Sequence, residues 1–338
     1  MTSDASQYVD AAVIRTSPHF KSGMSTPVIM FHVVLALLPI IAFAVYNFGL
    51  SVLLLISVAT LAAVLTESVY NIVTRRPNSL KDNTALITGI LLALTLPPGF
   101  PLWMAALGGI VAILLGKLVF GGIGYNLFNP ALVGRAFLQA SFPVAITTWQ
   151  APLAADRFSR LYNSTLAWPF MKPQWDAVSG ATPLAAFKWE GHLFGADQLF
   201  FGTISGSTGE TAAVLILLGG LYLALRDMLD WRIPASYLGT VAVLAFIFNR
   251  LNPEVYAGPL FMLGSGGLML GAVFMATDMV SSPVTRLGVV IFGVVIGILT
   301  WTIRVFGGLP EGVMYAILIG NALTPLINQF TKHRVYGT

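Results

Sequence analysis

Cysteine is absent from this chain. That excludes disulfides, thiol nucleophiles and cysteine-held iron–sulfur clusters. Histidine is scarce too: the four that exist, His19, His32, His192 and His333, are too scattered for a recognisable haem pair or zinc set, so no metal site is expected. Charge is in short supply. Only 9% of the 338 residues are charged, against about 25% in a soluble domain, while 56% are hydrophobic. The net charge of +4 does not mark a nucleic-acid binder, because its basic residues stand singly at the ends of apolar runs, as topology signals do. The composition is that of an all-α integral membrane protein. If such a chain handles electrons, it must borrow an organic cofactor.

A helix spanning hydrocarbon needs about 20 apolar residues at a rise of about 1.5 Å each. Ten runs qualify as candidates: 28–47, 50–73, 82–97, 102–120, 131–149, 208–226, 234–250, 259–279, 285–304 and 312–330. The third is short, since the uncharged run from Thr84 to Leu96 reaches only about 20 Å of a core about 30 Å thick. It is expected to be broken or partly re-entrant, closed by Pro97-Pro98.

The first 26 residues are polar and carry no apolar signal core, so segment 1–26 is expected in the cytoplasm. Arg15, Lys21, Arg75, Arg76, Lys81, Lys117, Arg135, Arg226, Arg232, Arg286, Lys332 and Arg334 then fall on one side, which the positive-inside rule makes cytoplasmic. Both termini, including the tail 331–338, are expected there. The long interval 150–207 falls on the outer, periplasmic side; its aromatics, among them Tyr162, Trp168, Phe170, Trp175, Phe187 and Trp189, would suffice for a small folded cap. The interval separates two membrane units, 27–149 and 208–330, of five helices each. One starts inside and the other outside, the plan of an inverted repeat. Gly89 and Thr95 are echoed at equal spacing by Gly271 and Thr277, and Asn129-Pro-Ala-Leu by Asn321-Ala-Leu.

Three constellations could carry chemistry. In Gly121-Gly122-Ile-Gly124-Tyr125-Asn126-Leu-Phe-Asn129-Pro130, followed by Arg135, the glycines let backbone approach a ligand. Asn126 and Asn129 would either show two amides to the polar edge of a flavin ring or simply cap a helix. The second set comprises ionisable residues in or near helices: His32, Glu67, Asp82, Lys117, Arg135, Asp278 and Arg304. Intramembrane charges are functional candidates, and Glu67 and Asp278 are those to weigh for an ion path; snorkelling at helix ends explains Lys117 and Arg304 more cheaply. The third is Asp176-Ala-Val-Ser179-Gly180-Ala181-Thr182-Pro183. Its small residues would leave the Thr182 hydroxyl open to water and to attachment of a phosphate-bearing group, and Pro183 biases Thr182 towards an extended backbone. By themselves these residues equally fit an ordinary loop.

Together the tracts resemble one family over nearly the whole chain: the group containing the D subunit of the Rnf ion-translocating electron-transport complex and the B subunit of the sodium-pumping NADH:quinone reductase. The resemblance rests on Asp176 to Thr182, on Asn126 to Arg135, on Asp82-Asn-Thr-Ala-Leu-Ile-Thr-Gly with Leu96-Pro-Pro, and on Met275-Ala-Thr-Asp278 with Ser282-Pro283. It implies covalent FMN on Thr182 by a phosphoester bond, with Asp176, Ser179, Gly180 and Ala181 as the flavinylation motif. It also implies a second, non-covalent flavin, riboflavin, near Asn126, Asn129 and Arg135. The partners implied are iron–sulfur subunits of a membrane redox complex and a periplasmic flavin transferase, and the location is the bacterial inner membrane. The length and short N-terminal region favour the Rnf member, a relay of electrons between NADH and ferredoxin-type partners that drives Na+ or H+ movement and is not active alone. The quinone-reductase member is the alternative within the family, and an inverted-repeat channel or transporter the alternative outside it.

Overall fold

The computed structural model describes residues 25–76, 79–159, 161–169, 171, 180–210 and 212–332. Asp176 and Ser179 lie outside the described residues, as do Arg15, Lys21, Arg160, Phe170, Trp175 and Arg334. Every regular element described is helical. In the first half these are α1 (Thr26–Phe48), α2 (Leu50–Val73), α3 (Thr84–Leu94), α4 (Leu102–Ile113) running into a π turn at Leu114–Leu118, α5 (Pro130–Ser141) and the short α6 (Pro143–Ile146). Two short helices follow, α7 (Pro183–Glu190) and α8 (Ala196–Phe201). The second half holds α9 (Ala213–Leu225), α10 (Arg232–Leu251), α11 (Pro259–Gly264), α12 (Leu268–Leu270) with a π turn at Gly271–Met275, α13 (Arg286–Phe306) and α14 (Val313–Phe330).

Each expected run contains helix, and five helices, α1, α2, α10, α13 and α14, are long and apolar enough to cross a membrane. The protein is a multi-pass membrane protein. Three further apolar helices are shorter: Thr84–Leu94, Leu102–Leu118 and Ala213–Leu225. Two expectations need correction. The run 131–149 does not form one helix: α5 ends at Ser141 and Phe142 leaves the helical region before Pro143 opens α6, because the residue preceding proline is pushed out of that region. The run 259–279 is likewise interrupted, at Ser265-Gly266-Gly267.

Broken helices leave carbonyls that lipid cannot satisfy, so protein must do it. At the end of α3 the Thr208 and Gly209 amides bond the Leu96 and Leu94 carbonyls at 3.1 and 2.8 Å, and the Thr208 hydroxyl bonds Ala93 at 2.8 Å. At the end of α11 the Arg304 guanidinium serves the Met262 and Ser265 carbonyls at 2.6 and 2.9 Å. Arg304 is therefore not a snorkelling helix-end cation. It is buried and ties α13 to the break.

The interval between the halves is sewn onto one end of the bundle. The Leu50 amide donates to Arg157, Leu153 to Asn47 and Leu102 to Thr165, all through backbone groups, while Gln150 accepts from the Gly99 amide at 3.0 Å. Packing follows one order in both halves: α2 against α3 and α4, then α4 against α5; α10 against α11 and α13, then α13 against α14. Helices α1 and α9 join the halves.

Candidate functional site

Two cavities open near opposite ends of the bundle. At the cap end a cavity of about 430 Å³ is lined by Gly180, Ala181 and Thr182, by Trp149 and Trp189, and by Arg135 and Glu311. Thr182 is extended, at φ −68° and ψ 152°, and is the N-cap of α7, its hydroxyl oxygen accepting from the Ala185 amide at 3.3 Å. Pro183 occupies the first helical position, where its missing N–H costs nothing. The expected backbone is found; the expected exposure is not. Thr182 is only 3% exposed: its hydroxyl oxygen is engaged as the cap of α7, and the residue lines the cavity. Gly180 fits for lack of space: a Cβ there would stand 2.8 Å from the Ser205 Cβ and closer still to its hydroxyl.

At the other end a cavity of about 520 Å³ is lined by apolar residues of α1, α3 and α9 and by a few polar groups: Thr84, Thr88, Lys117, Asn126, Asn129, Thr277 and Asp278. The glycine tract before it is an irregular loop with positive φ at Gly121, Gly122 and Gly124, conformations that glycine alone adopts freely. Asn126 sits at the end of this loop, not on a helix. Its amide donates to the Phe128 carbonyl at 3.2 Å and approaches Asp278 at 3.4 Å. Asn129 caps α5, accepting from the Ala131 and Leu132 amides, and donates to the Met275 carbonyl at 3.2 Å across the two halves. The cap reading holds for Asn129, and both asparagines lie on the cavity wall.

Arg135 does not join Asn126 and Asn129. Six residues beyond Asn129 on α5 is about 9 Å along the axis, and this carries Arg135 to the cavity with Thr182. Nor is it a topology marker at a loop: it is 7% exposed. Its guanidinium binds Glu210 at 2.7 Å and Glu311 at 3.0 Å, and Ser207 donates to the second Glu210 oxygen at 2.6 Å. Arg135, Gln139 and Glu311 also line a small cavity of about 20 Å³ that Glu210 and Met275 complete. Burial pushes the Glu311 carboxyl, in the link between α13 and α14, up to about 7; Glu210 adds to the rise, and Arg135 and Arg304 oppose it. Sequence reasoning missed Glu210 and Glu311. Their signal was available: in a chain with 14 acidic residues, a carboxylate beside an apolar run calls for a partner, and the interior arginines supply it.

Lys117 does not snorkel either. Buried in the π turn after α4, its ammonium contacts both Glu67 oxygens at 2.7 and 2.8 Å and the Thr84 hydroxyl at 2.6 Å, with Asp82 at 3.9 Å. Glu67 also accepts from Ser79. Glu67 thus stands beside the lower cavity through Lys117 and Thr84, which line it, while Asp278 lines it directly. Among the described residues no group of His, Asp and Glu is placed to hold a metal ion.

Comparison with known proteins matches residues 13–337 to the NQR2, RnfD, RnfE family. The chain is 42% identical over 96% of its length, and 96% of the relative's, to the D subunit of the proton-translocating ferredoxin:NAD(+) oxidoreductase complex of Clostridium ljungdahlii. It is 41% identical over 96% of its length, and 95% of the relative's, to the D subunit of the Na(+)-translocating ferredoxin:NAD(+) oxidoreductase complex of Acetobacterium woodii. To the D subunit of the ion-translocating oxidoreductase complex of Stutzerimonas stutzeri it is 42% identical over 91% of each chain.

Proposed function

The chain belongs to the NQR2, RnfD, RnfE family, whose relatives are subunits of ion-translocating oxidoreductase complexes, and from that premise we propose that it is the flavin-carrying membrane subunit of such a complex. In this reading Thr182 bears FMN through a phosphoester bond, and a second flavin, riboflavin, occupies the cavity at Asn126 and Asn129. Iron–sulfur subunits exchange electrons with the chain, a periplasmic flavin transferase attaches the FMN, and both termini face the cytoplasm of the inner membrane. The two halves are inverted five-helix units, in keeping with their recurring order of packing.

The observation that carries the reading is Thr182 itself, a hydroxyl at the wall of a cavity whose volume lies in the range of ligand sites, about 300–1,000 Å³. The surroundings fit the group. An oxygen at the start of α7 sits where the helix dipole favours phosphate charge. Trp149 and Trp189 offer aromatic surface, and Arg135 has a buried Nε–H with no partner among the described residues. The lower cavity fits a neutral ring: its wall is mainly apolar, and Asn126, Asn129 and Thr88 present the donors and acceptors that orient a ligand. Flavin would supply one-electron chemistry in these cavities.

The chain's own residues then have plain tasks. The apolar walls of α1, α3 and α9 exclude water from the lower cavity. Asn129 fixes the distance between halves by holding the Met275 carbonyl. Glu67 and Asp278 are the proposed ion-path carboxylates: Asp278 lines the lower cavity, and Glu67 is paired with Lys117, which lines it too.

The test is fluorescence of the denatured protein band from cells with an active flavin transferase. A covalent flavin survives denaturation, so the unsubstituted chain should glow and Thr182→Val should be dark but still membrane-inserted. A fluorescent Thr182→Val band, or a dark parent, removes Thr182 as the attachment point.

A further inference from the structure

Arg135 is an unusual cation to find in a ligand cavity. It is 7% exposed, fixed from two sides by Glu210 and Glu311, and Glu210 is itself held by Ser207. Another buried guanidinium, that of Arg304, is engaged by the Met262 and Ser265 carbonyls. Among the described residues lining the cavity with Thr182, Arg135 and Glu311 are the charged ones. Arginine keeps its proton at any pH a protein survives, and the field of a buried charge is screened less than that of an exposed one.

We propose that Arg135 sets the redox potential of the flavin held at Thr182, its fixed positive charge stabilising the negative charge that reduction brings into the cavity. The inference rests on the reading of Thr182 given above and assigns Arg135 to that group, not to the second one. No bond forms or breaks in the chain: one electron arrives from, and later returns to, the redox partners of the oxidoreductase complex, and Arg135 keeps all its protons throughout. Glu210 and Glu311 orient the guanidinium and moderate its field. They face it from the segment before α9 and the link before α14, and Arg304 lies beyond them on α13.

The experiment is a redox titration of the full-length chain, followed by flavin absorbance. The spectral component that Thr182→Val lacks is the one read. The comparison pairs Glu311→Gln with the double variant Arg135→Gln/Glu311→Gln, so that the guanidinium is removed without leaving Glu311 charged and alone. The double variant should titrate at least tenfold lower in its equilibrium with the same mediators, 59 mV for one electron, while Arg135→Lys retains most of the parent potential. If a variant lacking Arg135 does not insert, Glu210→Gln alone should move the potential upward by removing opposing charge. Equal potentials with a fluorescent band overturn the role of Arg135 alone. A dark band from the unsubstituted chain overturns the attachment at Thr182 and this inference with it.

Discussion

The Lys117 ammonium lies 2.7 Å from one Glu67 oxygen and 2.8 Å from the other, with both side chains almost sealed from solvent. Two buried charges repay their desolvation only in each other's company. Removing one partner of such a pair costs about 3–5 kcal/mol, whereas replacing both with apolar groups is often close to neutral. Lys117→Met should therefore lower the thermal midpoint in detergent sharply, and Lys117→Met/Glu67→Leu should restore much of it. Midpoints that fall equally in single and double variants would show that the pair is not the source of the loss.

Asn129 has two structural jobs, so it is a poor probe of the lower cavity. Asn129→Leu loses the cap of α5, worth about 1 kcal/mol, and the link to Met275, whatever else it does. Asn126 lines the same cavity without capping a helix. We expect Asn126→Leu to lower the flavin extracted by denaturation severalfold while the covalent band stays bright. An unchanged extractable flavin in Asn126→Leu would take Asn126 out of the second site.

Gly180 offers a steric test of the attachment tract. A Cβ at this position would meet Ser205 within 2.8 Å at its Cβ, so Gly180→Ala must push the Ser205 segment away from the tract. Covalent fluorescence should fall severalfold in Gly180→Ala and recover when Ser205→Gly is added. Failure of the second change to rescue the first would mean the loss has another cause.

Much of the architecture could be read from composition. Runs of apolar residues are local features, and each of the ten yielded helix. The breaks were half legible: Pro97-Pro98 announces itself, but the run 131–149 reads straight through Pro143, where the structure breaks it, and the interruption at Ser265 depends on Arg304, 39 residues further on, to satisfy its carbonyls. The charged interior was the least legible. Lys117 and Arg304 look like helix-end cations in one dimension, and only tertiary packing brings Glu67 and the α11 carbonyls to them. Arg135 stands six residues from Asn129 in sequence, yet α5 carries it to the other cavity. Glu210 and Glu311, about a hundred residues apart, meet there because α9 and α14 both start at the cap end.

Glu311 gives a pH-dependent prediction whose sign is fixed by its surroundings. Its carboxyl is raised from 4.5 to about 7, chiefly by burial. A raised carboxyl binds its proton more tightly in the folded chain than in the unfolded one. Its contribution is therefore complete below pH 4.5 and is lost as pH rises through about 7. The shift corresponds to a ceiling of about 3 kcal/mol. Glu311→Gln keeps a neutral group at this position at every pH and leaves Arg135 paired with Glu210. The midpoint of Glu311→Gln, measured relative to the parent, should therefore climb steadily from about pH 5 to about pH 8. A difference that is flat across that interval, or that narrows with rising pH, would show that Glu311 is already ionised at its acid end and that Arg135 dominates its environment.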